Sequence, residues 1–536
     1  MRHTHTMPGP KRDESIIIVG AGVFGLSSAL HLARAGYTNI HLFDKQDFLS
    51  TNYSFAAGSD GASADENKIL RASYGGQELY QRMAFEAMRE WEKWNLDMAS
   101  DKTLPEALKG TEKLWDRCGF LRIEKSFGQH EVDTQNSFPK EIKHTQYRIT
   151  NQQRTQEATQ SGIPASKFDP FNRASRGLKT DGILDMTAGY TLASKACTYA
   201  LHLCRHAGVH LHLGPFIGTF TSFLTASTKI AGIKTADGIT HQAALSLLET
   251  TAGTVLTINL PPSRPDLWNK YAPLNFPVWS WNMGGYDAAS ENPGGLYGFP
   301  RTPEGVIKFG FRGAKWTNYA FPASSGDTKI SYPKTDIEEV PERAFNVVKA
   351  FCAENMPDLL DLELQRGLLC WYTDSVDNSF LISHVPGQPG LMVASGGSGH
   401  GFKFLPVLGK HVVDVVEAKS TEYTKMFAWR DVPKGKRNGL EEGKKGWRTL
   451  DKQKFVQSRE WKLPVLTPGA SKPLALEYQP DLRRPRLYAD LTVACFLIGL
   501  LNLKWQRGVV HQEKHITYLP QSPEHSTQAF GKTSNH

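Results

Sequence analysis

Residues 15–44 constrain the fold of this chain more than any other stretch. Ser15-Ile-Ile-Ile-Val-Gly20 is an apolar, β-branched run, the pattern of a strand buried in a parallel sheet. Gly20-Ala-Gly22-Val23-Phe24-Gly25 follows. Beyond it, Leu26, Ala29, Leu30 and Ala33 fall on one helical face, and Gly36 ends the helix. A second strand, residues 39–43, ends at Asp44 and Lys45. Strand, glycine turn, helix, strand and acid, in that order, form the dinucleotide-binding pattern. Gly20 permits the tight turn, and Gly22 lets the backbone approach a pyrophosphate. Gly25 lets the helix pack close to the strand. The helix N-terminus adds N–H groups and a positive dipole end. Asp44 can accept hydrogen bonds from a ribose diol. The pattern alone does not separate FAD from NAD, but its place at the head of a long chain leans toward FAD.

A similar arrangement recurs far down the chain. Residues 391–395 (LMVAS) read as a short apolar strand leading into Gly396-Gly-Ser-Gly399-His400-Gly401-Phe402-Lys403. A helical pattern, FLPVLGKHVVDVVEA, follows. These glycines again allow close backbone approach to a flat or anionic ligand, and Lys403 adds a positive charge.

Composition narrows the function classes. At roughly 100–200 residues per domain, 536 residues suggest two to four domains or one discontinuous pair. Hydrophobic residues make up 40% and charged residues 22%, which excludes a mainly disordered chain. The formal net charge is +8, from 62 Lys and Arg against 54 Asp and Glu, too mild to argue for nucleic acid. The six cysteines form no C-x-x-C pair and are too sparse for a disulfide scaffold, so a reducing compartment fits better. No metal site is expected. His202, His206, His210 and His212 read as a partly solvated face. The N-terminus lacks the apolar core of a signal peptide, and no apolar run reaches the ~18 residues a membrane span needs. The nearest is residues 491–503 (LTVACFLIGLLNL), read as a packed helix or an odd tail, with a membrane anchor as the minority reading.

Four ordered blocks carry a family resemblance: residues 16–44; SADENKILRASY at 63–74; YGFPRTPEGVIK at 297–308; and residues 370–403. Together they resemble the flavin-dependent amine oxidases of the monomeric sarcosine oxidase, L-pipecolate/L-saccharopine oxidase and fructosyl amino acid oxidase (amadoriase) group. The fungal-type members are the most similar, and the likeness spans about residues 15–461. It implies an α/β (α+β) fold, with a discontinuous Rossmann-like FAD-binding domain of the glutathione-reductase-like type and an interleaved antiparallel-sheet substrate domain. It implies oxidation of the C–N bond of a secondary amine or amino acid, with oxygen as acceptor, giving an imine and hydrogen peroxide. Cys370 matches the position of covalent FAD attachment, and Lys308 that of the lysine that activates oxygen. Arg71 and Lys403 match positions holding a substrate carboxylate. Lys68 stands where a basic residue lies against the flavin, as in the amadoriase-like branch. Tyr297 and Tyr372 match tyrosines of the substrate cavity. From the residues alone, Cys370 reads equally as a buried thiol, Lys308 as a solvated strand lysine, and both tyrosines as core aromatics. The remaining cofactor contacts fall to Gly20, Gly22, Val23, Phe24, Gly25, Asp44, Lys45 and residues Gly399, His400, Gly401, Phe402 and Lys403. The partners implied are a small amine or amino acid and oxygen, with no nucleic acid and no membrane, in a monomer.

The FAD domain is expected over 14–100, 180–255 and 365–420, and the substrate domain over 101–179 and 256–364. Residues 421–462 form a closing segment rich in Lys, Arg and Glu, and 463–536 a tail of unassigned role, partly disordered. Residues 230–240 read as a hairpin with an Asp237-Gly238 turn. One departure stands out. Relatives carry an Ala-Gly-Ala-Trp-type loop and a helix beside the flavin after that hairpin. Here ALSLLETTAG at 244–253 runs straight into TVLTINL. Either an exon boundary is misplaced in the sequence or FAD binding is weakened or lost. Two alternatives to the main reading follow: a tailoring amine oxidase of a secondary-metabolite pathway, and a non-catalytic flavin-fold member. The chain ends Thr-Ser-Asn-His536, without a peroxisomal tripeptide, so an intracellular, cytoplasmic or peroxisomal location is expected.

Overall fold

The computed structural model describes residues 9–461 apart from 60, 125–127, 227–228, 239, 243–248, 284–294, 321–329, 332, 335–338, 376, 431–445 and 458–460. β1 (Ile16–Val19), α1 (Val23–Arg34) and β2 (Ile40–Asp44) form the βαβ unit expected from the glycine pattern. The two strands are parallel, with Ile16 opposite Ile40 and Val19 opposite Phe43. Gly20 has φ +101°, a conformation glycine adopts without steric cost. A Cβ on Gly25 would overlap the Gly20 carbonyl oxygen, so only glycine lets α1 start this close to β1.

β3 (Asn67–Leu70) leads to α2 (Glu78–Ser100), which buries Tyr80, Ala84, Ala87, Met88, Trp91 and Trp94 along one stripe. β4 (Phe120–Glu124), β5 (Gln146–Arg148) and β6 (Asp181–Asp185) begin a large sheet. The chain then returns to the first unit. β7 (Gly189–Leu192) pairs with β3, α3 (Ala193–His206) packs on α1, and β8 (His210–Leu213) lies parallel to β2. The parallel sheet is therefore assembled from segments far apart in sequence. β9 (Phe220–Ala226), β10 (Lys229–Thr235) and β11 (Thr240–Gln242) form a small antiparallel sheet, with Gly238 of the expected turn at φ +86°.

β12 (Glu249–Asn259), β13 (Val278–Trp281), β14 (Leu296–Gly298), β15 (Val306–Trp316) and β16 (Leu364–Asp374) complete the large sheet in the order β16-β12-β15-β14-β13-β4-β6-β5. Its neighbours are antiparallel except β4 and β13, which are parallel. The sheet is thus antiparallel, as expected, apart from that one pair. A long connection separates β4 from β13, as a parallel pair requires; it includes β5, β6 and β12 of the same sheet. Under the sheet lies α4 (Glu342–Asn355). β17 (Leu381–His384) and β18 (Met392–Ser395) form a hairpin that delivers the second glycine turn. The helical pattern after that turn is interrupted at Pro406. A short 3₁₀ turn, Phe402–Phe404, precedes it and α5 (Leu408–Val416) follows. Two large cores result, with four smaller clusters beside them among the described residues. One gathers Leu26, Met83, Trp91, Cys197 and Leu408, and the other Leu184, Leu256, Trp279, Trp316 and Phe351.

β12 is one unbroken strand between β15 and β16, so no loop or helix interrupts residues 249–259. Residues 243–248 lie outside the described ones. Among the described residues, β1 pairs only with β2, and β18 only with β17. The apolar run of β1, expected to be buried, is half-buried at all four residues. One edge of it faces a cavity that β18 also lines. No described helix is long and apolar enough to cross a membrane. The apolar run 491–503, Cys495, the tail 463–536 and much of the basic closing segment lie outside the described residues. Cys118, Cys197, Cys204, Cys352 and Cys370 are buried free thiols.

Candidate functional site

A cavity of about 1900 Å³ lies between the two units. It exceeds the roughly 300–1,000 Å³ of a drug-sized pocket, leaving room for a dinucleotide and a substrate together. Gly20, Gly22, Val23, Phe24, Gly25, Asp44 and Lys45 form one end of its wall. Lys68, Arg71, Tyr297, Cys370, Tyr372, Gly399, His400, Gly401, Phe402 and Lys403 line the rest. Lys308 is absent from the wall; it is wholly buried behind it.

At the first end, Gly22 caps α1 with no side chain, and the first turn holds no acid. Its N–H groups and positive dipole end suit an anion. Asp44 Oδ2 accepts from the Ala21 N–H at 2.8 Å, and Oδ1 accepts from the Gln46 N–H at 2.9 Å. Tyr53 donates to the Ala21 carbonyl at 2.7 Å. The turn is thus tied to both strands. The bare N–H groups, the glycine approach and the acid at the end of β2 fit the pyrophosphate and ribose of a dinucleotide.

The middle of the site holds a buried charge network. Asp65 Oδ2 accepts from Lys68 Nζ at 2.6 Å and from Lys308 Nζ at 2.7 Å. Lys308 also donates to the Asn67 carbonyl at 2.7 Å. Burial alone would raise the Asp65 carboxyl, but Lys308 and then Lys68 pull it down to about 2. Burial also works against the Lys68 cation, yet Asp65 overcomes it and holds that lysine above its ordinary value. Lys308 goes the other way: its burial, with Lys68 beside it, outweighs the shared carboxylate. We take Lys68 as the firmer cation, because it reaches the cavity edge while Lys308 does not. Lys68 Nζ also stands 3.6 Å from Cys370 Sγ. Burial pushes the Cys370 thiol up, and Lys68 counteracts this.

β16 sets Cys370 and Tyr372 two residues apart, on one face. On β15, Lys308, Gly310 and Arg312 likewise share a face. Tyr297 sits opposite Gly310, and a Cβ there would fall inside the tyrosine ring. Glycine is what admits Tyr297 to the site.

The third region is cationic. Lys403 Nζ donates to Tyr74 Oη at 2.9 Å. Tyr74 Oη lies 3.1 Å from His400 Nδ1, and His400 Nε2 lies 2.9 Å from the Asn378 carbonyl. A carbonyl can only accept, so Nε2 carries the hydrogen and Nδ1 accepts from Tyr74. Burial and then Lys403 keep His400 well below its ordinary value, hence neutral. The Arg71 guanidinium packs over the Tyr74 ring at 4.9 Å and donates to Ser73. Burial, Arg71 and Arg312 together drive Lys403 well below the ordinary lysine range. Nearby, Arg122 is paired with Glu131 at 2.9 Å, both buried.

Sequence reasoning missed Asp65, Tyr74 and Arg312. Asp65 sits three residues before Lys68 in a quoted block, and Arg312 four after Lys308 on one strand face. Both spacings were readable signals. The histidines read as a solvated face are partly engaged: His202 Nε2 meets Asp101 at 2.9 Å, and His41 meets His212 at 3.0 Å. No group of His, Cys, Asp or Glu among the described residues could hold a metal ion.

The sequence profile described as FAD dependent oxidoreductase (DAO) matches residues 15–415. The chain belongs to this family. FAD is therefore the cofactor of this family, and the α/β fold with its parallel βαβ unit is consistent with it. L-saccharopine oxidase of Schizosaccharomyces pombe is 26% identical over 444 residues, covering 78% of this chain and 93% of that protein. Human peroxisomal sarcosine oxidase is 25% identical over 408 residues, covering 74% and 90%. Among solved structures, fructosyl peptide oxidase from E. terrenum superposes with a TM-score of 0.65 at 22% identity. That match covers 83% of this chain and 98% of that one, and it bears on the fold alone.

Proposed function

We propose that this protein is an FAD-dependent oxidase of a secondary amine that carries a carboxylate, with oxygen as acceptor and imine and hydrogen peroxide as products. The observation that carries this reading is the meeting of Arg71 and Lys403 on the same cavity wall as Cys370, Lys68 and the dinucleotide turn. Bound FAD would supply the hydride acceptance and the oxygen chemistry. The chain's own residues do the rest. Arg71 and Lys403 bind and orient the carboxylate through charge-assisted hydrogen bonds. Tyr297 and Tyr372 wall the amine off from water. Lys68, held by Asp65, keeps positive charge on the cavity wall, where negative charge develops, and Lys308 backs the same carboxylate from behind that wall. Covalent attachment through Cys370 and the oxygen-activating role of Lys308 belong to this proposal.

A second reading has its own support. β1, beside the dinucleotide turn, pairs only with β2 among the described residues, which favours a member with weakened FAD binding. Colour and heat stability decide between the two. The oxidase reading expects a yellow protein. Where the flavin is reversibly bound, adding FAD at about 100 times its Kd contributes about 2.7 kcal/mol to stability. A colourless protein whose melting temperature ignores FAD would reject the oxidase reading.

Carboxylate binding is expected to be coupled to protonation. In the free site Lys403 is held well below the ordinary lysine range, chiefly by burial. A bound carboxylate favours its charged form. Affinity should thus be full at pH below the depressed value and fall as pH rises through it. Calorimetric titration with methylthioacetate in buffers of different ionisation enthalpy should register proton uptake. Affinity independent of pH, with no uptake, would remove Lys403 from carboxylate binding.

A further inference from the structure

Another buried ion pair stands behind the carboxylate end, and the chemistry proposed above gives it no part. Lys315 of β15 and Asp374 of β16 meet at 2.9 Å, each 1% exposed. β12 lies between their strands, and its Thr251 donates to the same Asp374 oxygen at 2.8 Å. A buried pair repays its desolvation poorly, and apolar side chains in its place are often as stable. Stability alone therefore does not account for it; what it touches does. Asp374 stands between two residues that pin the second glycine turn. The Thr373 carbonyl accepts from the Ser398 N–H at 2.9 Å, and the Ser375 N–H donates to Ser398 Oγ at 3.0 Å. Ser398 donates in turn to the Gly396 carbonyl at 3.0 Å, and its φ is +46°, a left-handed conformation that costs a non-glycine residue free energy. Lys315 reaches the neighbouring turn. Its Nζ is 3.5 Å from Asn378 Oδ1, and Asn378, at φ +63°, offers its carbonyl to His400 Nε2 at 2.9 Å. From His400 the hydrogen bonds run through Tyr74 to Lys403. Arg312, earlier on the same strand as Lys315, lies against the glycine turn as well, with Nη1 3.4 Å from the Gly399 carbonyl oxygen.

We propose that Lys315 and Asp374 are positioning residues. The pair locks Ser398 and Asn378 in their left-handed conformations, so that His400 and Tyr74 present Lys403 to the substrate carboxylate. Neither side chain lines the cavity, so both act only through the turn. The carboxylate part of this role rests on the oxidase reading of the cavity; the locking of the turn does not.

Three variants test it: Asp374→Asn, Lys315→Met, and the apolar double variant Lys315→Met with Asp374→Leu. The double variant should melt within a few degrees of wild type and keep its flavin, because it strands no charge. It should nevertheless bind methylthioacetate, which carries sulfur in place of the amine, about tenfold more weakly. With N-methylglycine, KM should rise by a similar factor while kcat changes little, since the carboxylate is held alike before and during the reaction. Nitrogen NMR with histidine-selective labelling, assigned with His400→Gln, reads the turn without substrate or turnover. Wild type should show His400 only as the Nε2–H tautomer, and the double variant should show a mixture of both. A double variant with wild-type affinity and an unchanged His400 signal overturns this inference and leaves the oxidase reading intact. So does affinity lost only in step with melting temperature across the three variants. A changed His400 signal with weakened methylthioacetate binding, in a protein whose wild type oxidises no amine, supports the role of the pair and overturns the oxidase reading instead.

Discussion

Cys370→Ala is expected to release the flavin when the purified protein is denatured in acid, whereas the wild-type chain keeps its yellow colour through precipitation. The expectation starts from geometry. Cys370 Sγ is on the cavity wall, 3.6 Å from Lys68 Nζ and 4.0 Å from Asp65 Oδ2. The reactive form of a cysteine is its thiolate. Burial disfavours that form here, and the neighbouring ammonium of Lys68 favours it. The other four described cysteines do not line the cavity; burial pushes Cys197 and Cys204 up to about 12, even though Lys68 favours the Cys197 thiolate. The difference should be all-or-none in the supernatant absorbance after denaturation. Colour retained by both proteins, or lost from both, would remove Cys370 from attachment. Lys68→Met gives a finer reading: it should slow attachment on reconstitution with FAD without abolishing it.

Much of the dinucleotide end was legible, because local rules decide it. A β-branched run, glycines at Gly20, Gly22 and Gly25, and an acid at the end of the next strand each have a local steric or electrostatic cause. The structure puts all of them on one wall. The rest depends on pairings that no local pattern encodes. Nothing in residues 120–124 announces a parallel partner at 278–281. The half-buried state of β1 was not legible either, since an apolar run reads the same whether or not its far edge is covered. Lys308 illustrates the limit for side chains. Its strand and face follow from alternation, but its burial behind the wall comes from Asp65, which another segment supplies. Burial also explains why Asp65 escaped notice. An acid in a run of charged residues reads as solvated, and only packing reveals it as the counter-ion of two lysines.

Asp65→Asn follows from that network. Asp65 is 7% exposed, Lys308 is fully buried, and the carboxylate is the shared acceptor of both lysines. Asparagine preserves shape and one acceptor but removes the charge. Two cations then face each other in a poorly solvated site. Breaking a buried pair by removing one partner costs about 3–5 kcal/mol. For a domain of this size that lowers the melting temperature on the order of 10 °C. The sign with pH is fixed by the native carboxyl, which is held down at about 2. Its contribution is complete above the unfolded value of about 4 and drains away as pH falls from there toward about 2. The deficit of Asp65→Asn relative to wild type should shrink across that window. Removing the stranded charge should restore part of the loss, so Asp65→Asn with Lys308→Met should be more stable than Asp65→Asn alone. Chemical denaturation of the four proteins of this cycle measures the coupling directly. If Asp65→Asn lies within about 1 kcal/mol of wild type, or if the two substitutions simply add, the three residues do not act as one buried unit.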